Sequence, residues 1–466
     1  MIRITQTLAV SAVALALAAC NSSSERVETT PPPAAAESAE LRVHHTSADA
    51  PAVNVLANGS ILADLEGVDY QMSSPLLTVD AGTYSVAVDG ILPGGETTTV
   101  IDEDLTLEAD MRYDVFALGN LGAESPFDFG PFIIANEVSS VAAGEARLQV
   151  LHGAPVDVAV DVYLTEPGAD IVDGAASFTL SYQDYTDQVE VPEGDYQVTL
   201  TVSGDASSVL YSSPTLELPA GADLMVVATL NVGANAENSP IALLIADAEG
   251  ASVVYSTTTG ADVRVVHAAA DVPAVDVYAN EVTGDPAVPG LAFGEFTPYL
   301  NLEEGDYDFL VTLEGSTDVA LSQEFSLMNG WQGTVFAAGE LGEDTLNLQA
   351  IEFDNRRVAT EARVRLVHAS PIAGDVDIYV TPTDDFSDST PAFASVPFVA
   401  EELVTTGNVA LEAGTYFITI TPAGETTAAL GPLEITVAEG GIYTAVAVGN
   451  DGDTLGVILL DDLAGE

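Results

Sequence analysis

The chain has 466 residues, enough for roughly three or four domains of about 100 to 150 residues each. Its 72 acidic residues face 10 basic ones, all arginine, for a formal charge of −62; this disfavours nucleic acid and bare anionic lipid as partners, and the lack of lysine excludes Schiff-base chemistry and a phosphate-loop lysine. Hydrophobic residues still make up 47% of the chain, so it is no disordered acidic tail and it should fold.

The chain begins Met1-Ile2-Arg3 and runs through an apolar stretch from Leu8 to Ala19 into Cys20. A positive start, a short apolar run and small residues before a cut site describe a removable secretory signal over 1–19, too short to span a bilayer as a helix. Leu17-Ala18-Ala19-Cys20 resembles the lipobox of bacterial lipoproteins. The resemblance implies lipid attachment at Cys20, where two or three acyl chains give stable anchoring. Asn21 follows in place of aspartate, which by similarity to enterobacterial sorting implies the outer membrane. Cys20 is the sole cysteine, so no disulfide forms within the chain and its cores alone must hold it. Residues 20–40, rich in Ser, Pro, Ala, Glu and Thr, read as a flexible tether reaching at most roughly 65 Å.

Four segments then align without a gap: Arg42 to Leu56, Gln149 to Tyr163, Arg264 to Tyr278 and Arg365 to Tyr379. Each has a histidine at the same place: His45, His152, His267 and His368. A Gly-Xaa-Tyr follows in every copy, ending in Tyr84, Tyr196, Tyr307 and Tyr416. Next comes an apolar strand running into a turn, at Tyr113 to Gly119, Leu224 to Leu230, Gly333 to Gly339 and Tyr443 to Gly449. Leu230 stands where the others have glycine, which predicts a different turn there. These anchors divide the chain into repeats at 41–143, 144–258, 259–360 and 361–466. The Arg-Val-Xaa-His start, the Val-Asp-Val-Tyr strand, the Gly-Thr-Tyr turn and the final Tyr-Thr strand are similar to the bacterial and archaeal domain of unknown function 4397, in four tandem copies. That resemblance implies no assigned activity and brings no catalytic residue.

Strand signals dominate, and no long stretch has a helical period. Tyr84, Val86 and Val88, and their counterparts, fall on one face, which predicts a core face and a mostly buried tyrosine whose hydroxyl bonds near the turn, as in a tyrosine corner. Repeat three shows about seven strands, one placed at Phe293 to Tyr299. The expected fold is all-β: a tandem array of four immunoglobulin-like antiparallel β-sandwich domains, with small up-and-down barrels as the alternative. Short joints at Val138 to Glu145, Ser252 to Gly260 and Asn355 to Glu361 predict touching units in an elongated, semi-stiff array.

Three kinds of residue invite a chemical reading. The four histidines lie in different units and so do not converge on one metal; the expectation is a strand-end ring bonded to local backbone, with His44 pointing to the opposite face. Asp161, Asp276 and Asp377, with Asn54 in repeat one, alternate outward and read as a solvated outer face. Asp102-Glu103-Asp104, Asp384-Asp385 and Asp451-Gly452-Asp453 lack the spacing of a recognised calcium loop. No catalytic, cofactor or metal residue is assigned, and Cys20 is the one site residue. The reading is a non-enzymatic cell-envelope lipoprotein, anchored at the outer membrane or cell surface, with an elongated acidic array for surface binding, adhesion or envelope spacing and a surface shaped by salty surroundings. A surface protein or glycan ligand and weak divalent-cation binding stay open. An accessory enzyme on extracellular polysaccharide and a calcium-dependent matrix or surface-layer protein are the alternatives.

Overall fold

The computed structural model describes residues 37–122, 127–171, 176–233, 236, 239–341, 345–400, 402–450 and 454–462. The signal segment, Cys20 and nearly all of the tether lie outside them. Glu37–Glu466 forms one unit.

Apart from two short 3-10 turns, the regular structure among the described residues is β. In repeat three one sheet orders Leu300–Leu302, Ala261–His267, Gln332–Ala338 and Asn347–Glu352; the other orders Val288–Leu291, Val275–Ala279, Gly305–Leu313 and Val319–Leu327. The same two-sheet plan recurs in every repeat. Each unit is therefore a β-sandwich, and among the described residues no sheet closes into a barrel. One ladder per unit is parallel, as where Val265 lies opposite Val335, so the sheet that holds it is mixed. Parallel neighbours need a long crossover, and the whole second sheet supplies it.

Inward-facing residues such as Val263, Val277, Val311 and Val335 fill the space between the sheets, each worth about 1.5–3 kcal/mol when fully buried. The first sheet of each repeat is covered on its other face as well. Phe116, Leu118 and Ile134 of repeat one share a core with Leu151, Met225, Val227 and Leu244 of repeat two. Val266 and Phe336 of repeat three likewise pack with Val367, Val446 and Ile458 of repeat four. Strands covered on both faces lose the alternation of a half-solvated strand; Ala261–His267 and Gln332–Ala338 are buried throughout.

This packing corrects the expectation of an elongated array. Repeats combine as two face-to-face pairs, one–two and three–four, and contacts also join parts far apart in the chain. Arg356, in the joint after repeat three, donates to the carbonyls of Ala48 (3.1 Å) and Ala50 (2.7 Å) and to the Asp69 carboxylate, all in repeat one. The Ala359 amide donates to the Asp49 carbonyl at 2.8 Å.

Smaller corrections have local causes. The stretch Phe293 to Tyr299 is no strand: it links two short strands, touching the sheet through one bridge, Val266 to Phe296, and its Phe293 and Phe296 pack into the core shared by repeats three and four. The first strand starts at Ser38, inside the span assigned to the tether, because Ala39 and Leu41 belong to the core. Part of the joint at Ser252 to Gly260 is a fifth strand, Ala251–Tyr255, on the sheet of repeat two. The Gly-Xaa-Tyr tyrosines are half-buried, with hydroxyls that donate to the carbonyl four residues back: Asp80 (2.8 Å), Pro192 (2.8 Å), Glu303 (3.1 Å) and Glu412 (3.2 Å). Gly119 and Gly339 are left-handed, at φ 88° and 105°, and an added Cβ would lie 2.2 Å from a carbonyl oxygen; Leu230 instead stays extended and pairs with Ile241.

Candidate functional site

The four repeated histidines end the first strand of each unit and are buried. In every copy Nε2 meets the backbone carbonyl six residues on: Pro51 at 2.9 Å, Val158 at 3.2 Å, Pro273 at 3.1 Å and Gly374 at 2.8 Å. A carbonyl accepts only, so Nε2 carries the proton and Nδ1 is the free acceptor of a neutral ring. In repeats three and four Nδ1 takes a long bond, 3.4 Å, from the amides of Ala269 and Ser370. Burial pushes all four rings below the ordinary histidine range, His45 down to about 4. These rings close the loop between the first two strands, as their strand-end position suggests.

The Val-Asp-Val-Tyr carboxylates point away from the sandwich core, as alternation requires, yet they are buried rather than solvated. Asp276 accepts from the amides of Gly290 (2.7 Å) and Gly315 (2.8 Å), and Asp377 from Ser395 (2.7 Å) and Gly424 (2.8 Å). Asp161 takes the Thr179 hydroxyl at 2.6 Å and the Gly204 amide at 2.8 Å, and these donors hold its carboxyl below the usual range. Gly204, Gly315 and Gly424 sit at φ 80°, 73° and 76°, a conformation glycine reaches without strain, and it turns their amides onto the carboxylate. Asn54 retains half of the motif, accepting from the Gly67 amide at 2.8 Å. The Asp–Tyr face is therefore a hairpin anchor. Asp276→Ala removes the acceptor of two part-buried amide bonds and is expected to cost about 1–3 kcal/mol in urea unfolding, whereas Asp306→Ala, exposed at the start of its strand and bonded only to the Ser326 hydroxyl, serves as the milder comparison.

Sequence reasoning missed the role of the arginines. Of the eight described, six are buried: Arg42, Arg147, Arg264, Arg356, Arg363 and Arg365. They hold repeats together. Arg42 donates to Asp114 (2.7 Å) and across to the Asp247 carbonyl of repeat two (2.7 Å). Arg112 bridges Glu40 and Asp223, each at 2.7 Å. Arg264 reaches Asp462 of repeat four at 2.5 Å and stacks on Tyr299. Arg365 lies over Phe353 and donates to Asn355 at 2.8 Å. His44 joins this seam rather than being incidental: it stacks on Phe116, accepts from Ser73 (2.7 Å) and meets Asp114 at 3.1 Å. Burial alone would raise the Asp114 carboxyl, but the His44 bond and the Arg42 charge outweigh it and hold it at about 2.

The repeated polar residues thus gather at loops and seams; at the first seam Ser73, His44 and Asp114 line up as hydroxyl, imidazole and carboxylate, with the imidazole fully buried and stacked on Phe116. Among the described residues no three His, Cys, Asp or Glu side chains form a group able to hold a metal ion. Asp451 and Asp453, like Cys20, lie outside those residues.

A family described as Domain of unknown function (DUF4397) matches residues 39–163 and 261–379, just over half of the chain. Both matches start in the first strand of an odd repeat and stop at the tyrosine of the second strand of the next, Tyr163 or Tyr379. That phase is the phase of the face-to-face pairs. No curated protein matches the chain. Among solved structures the chain is similar to the Bacillus anthracis TIE protein, at 10% identity and a TM-score of 0.15, over 89% of this chain and 69% of that one. It is also similar to the product complex of a multi-modular glycogen-degrading pneumococcal virulence factor, SpuA, at 10% identity and a TM-score of 0.16, over 60% of this chain and 37% of that one. Scores this low carry no weight for fold or function.

Proposed function

Because the chain belongs to the DUF4397 family, whose domain has no assigned function, we propose a role built on what its residues supply: a non-enzymatic, lipid-anchored envelope scaffold, held at the outer membrane or cell surface through Cys20 and presenting anionic faces to a surface protein or glycan. The observation that carries this reading is the lone cysteine in Leu17-Ala18-Ala19-Cys20, ahead of a tether and a folded β part. Two further features support it. The repeated His and Asp side chains are engaged by their own loops, which leaves them no part in chemistry on a substrate. Six of the eight described arginines lie inside the fold, together with seven carboxylates, which leaves exposed cations scarce on a strongly acidic surface, as suits a hydrated face in salt.

Lipidation is the step to test. Cells expressing the chain and fed an alkyne-tagged palmitate are expected to yield labelled protein in the membrane fraction, while Cys20→Ser is unlabelled and released. A labelled Cys20→Ser chain, or a wild-type chain that stays unlabelled and soluble, would sink the anchored reading.

A further inference from the structure

We propose that repeat two is a receptor for one small, uncharged, apolar molecule, held between the two sheets of its sandwich. A cavity of about 310 Å³ lies there, walled by side chains such as Val150, Leu164, Val198, Leu216, Leu224 and Ile245. These residues face inward, yet each is only half-buried. Protein interiors are close-packed, with few voids larger than a water molecule, so an opening of this size in a sandwich core is unusual. Water is a poor occupant, since each buried molecule needs two to four polar partners. No carboxylate or guanidinium lines the cavity. Of its polar groups, His152 Nε2 is bonded to Val158, the Thr186 hydroxyl to the Val150 amide, the Ser177 hydroxyl to the Leu164 amide at 3.4 Å and the Tyr196 hydroxyl to Pro192. His152 Nδ1 is left as a single acceptor.

The other repeats act as internal controls. Two positions contribute to filling the inter-sheet space: the residue two after the Gly-Xaa-Tyr tyrosine, and the cross-strand neighbour of that tyrosine. Repeat three places Phe309 and Phe325 there, with ring centroids 5.4 Å apart in an edge-on contact. Repeat four has Ile418 and Ile435, and its cavity is about 20 Å³. Repeat one has Val86 and Leu105, with about 80 Å³. Repeat two has the same pair as repeat one, Val198 and Leu216, around the widest space, so the extra volume comes from the wider setting and an aromatic at either position would take part of it. An engineered apolar cavity of about 150 Å³ stays dry and binds benzene. Twice that volume suits a ligand of two fused rings, or an alkyl group of equal bulk. The proposal is independent of the anchored-scaffold reading.

The test uses the whole mature chain with Cys20→Ser, so that no acyl chain of its own competes and no detergent is needed. Calorimetric titration with naphthalene is expected to show one saturable site per chain. Val198→Phe and Leu216→Phe each install an aromatic that repeat three already carries, and each is expected to weaken binding at least tenfold while melting at or above the parent temperature. No saturable heat, or undiminished binding by a folded variant, overturns the proposal. Should both variants fail to fold, crystals of the parent under xenon decide it: xenon between the sheets of repeat two supports the site, and its absence there overturns it. Binding by this chain alongside failed lipid labelling in cells would leave the receptor intact and remove only the anchor.

Discussion

Asp462→Asn is expected to lower the stability of the repeat three–four pair by about 3–5 kcal/mol, the usual cost of removing one partner from a buried ion pair. The reason lies in what the carboxylate separates. Asp462 is buried between two guanidiniums: Oδ1 accepts from Arg264 of repeat three at 2.5 Å, and Oδ2 lies 3.4 Å from Arg365 of repeat four. Oδ2 also accepts the Thr444 hydroxyl at 2.5 Å. Asparagine keeps the shape and removes the charge, so two buried cations then face each other with no anion between them. Arg264→Met should cost less, because Arg365 remains as a partner for Asp462. Replacing all three, as Arg264→Met, Arg365→Met and Asp462→Leu, should recover much of the loss, since apolar residues of similar volume often match or exceed a buried ion cluster. In calorimetry the transition of this pair, about 200 residues long, is expected to fall by about 10 °C for Asp462→Asn. An unchanged transition, or a triple variant less stable than Asp462→Asn, would mean that the seam is held by apolar packing alone.

The repeats were legible in the sequence because each motif has a local cause that recurs in register. The histidine must end a strand to reach the carbonyl six residues on, and the tyrosine must follow glycine to bond four residues back. Neither depends on a neighbouring unit. What sequence reasoning missed depends on pairing. Strands treated as parts of isolated sandwiches are expected to alternate, yet Leu224 to Ala228 and Ile241–Ala246 run apolar without a break. That continuity is the signature of burial on both faces, and it marks the seam in the sequence itself. The misplaced strand at Phe293 to Tyr299 has the same origin, since those aromatics serve a neighbouring repeat rather than a ladder of their own. Arg42, Arg264 and Arg365 open the aligned segments, and a cation in the centre of an apolar strand points to a buried partner. For the Val-Asp-Val-Tyr aspartates, alternation assigned the face correctly. It carried no information about the hairpin turn, with its left-handed glycine, that folds over that face.

Below about pH 6.5, the ordinary histidine value, stability is expected to fall steadily, and the buried imidazoles are the cause. Each ring is neutral in the fold, with burial holding its pKa down, while the unfolded chain titrates near the ordinary value. Between the folded and unfolded pKa values the unfolded state binds more protons, so stability rises with pH there and is lost as pH falls. For His45 the window runs from about 6.5 down to about 4, and one pKa unit is worth about 1.4 kcal/mol, so this ring alone accounts for about 3 kcal/mol by the foot of the window. Asp114 acts in a separate range. Its carboxyl is held at about 2, so the stability it contributes is intact above the ordinary aspartate range and is lost only as pH falls toward 2. Protonation of the many surface carboxylates relieves repulsion and works in the opposite sense, so unfolding should be followed in 1 M salt, where the Debye length is about 3 Å. The proton uptake on unfolding at pH 5.5 is then expected to be smaller in His267→Gln, whose amide can still donate to the Pro273 carbonyl, than in the parent. Uptake equal to that of the parent would mean that His267 is already charged in the fold, and the loop closure would then rest on an imidazolium.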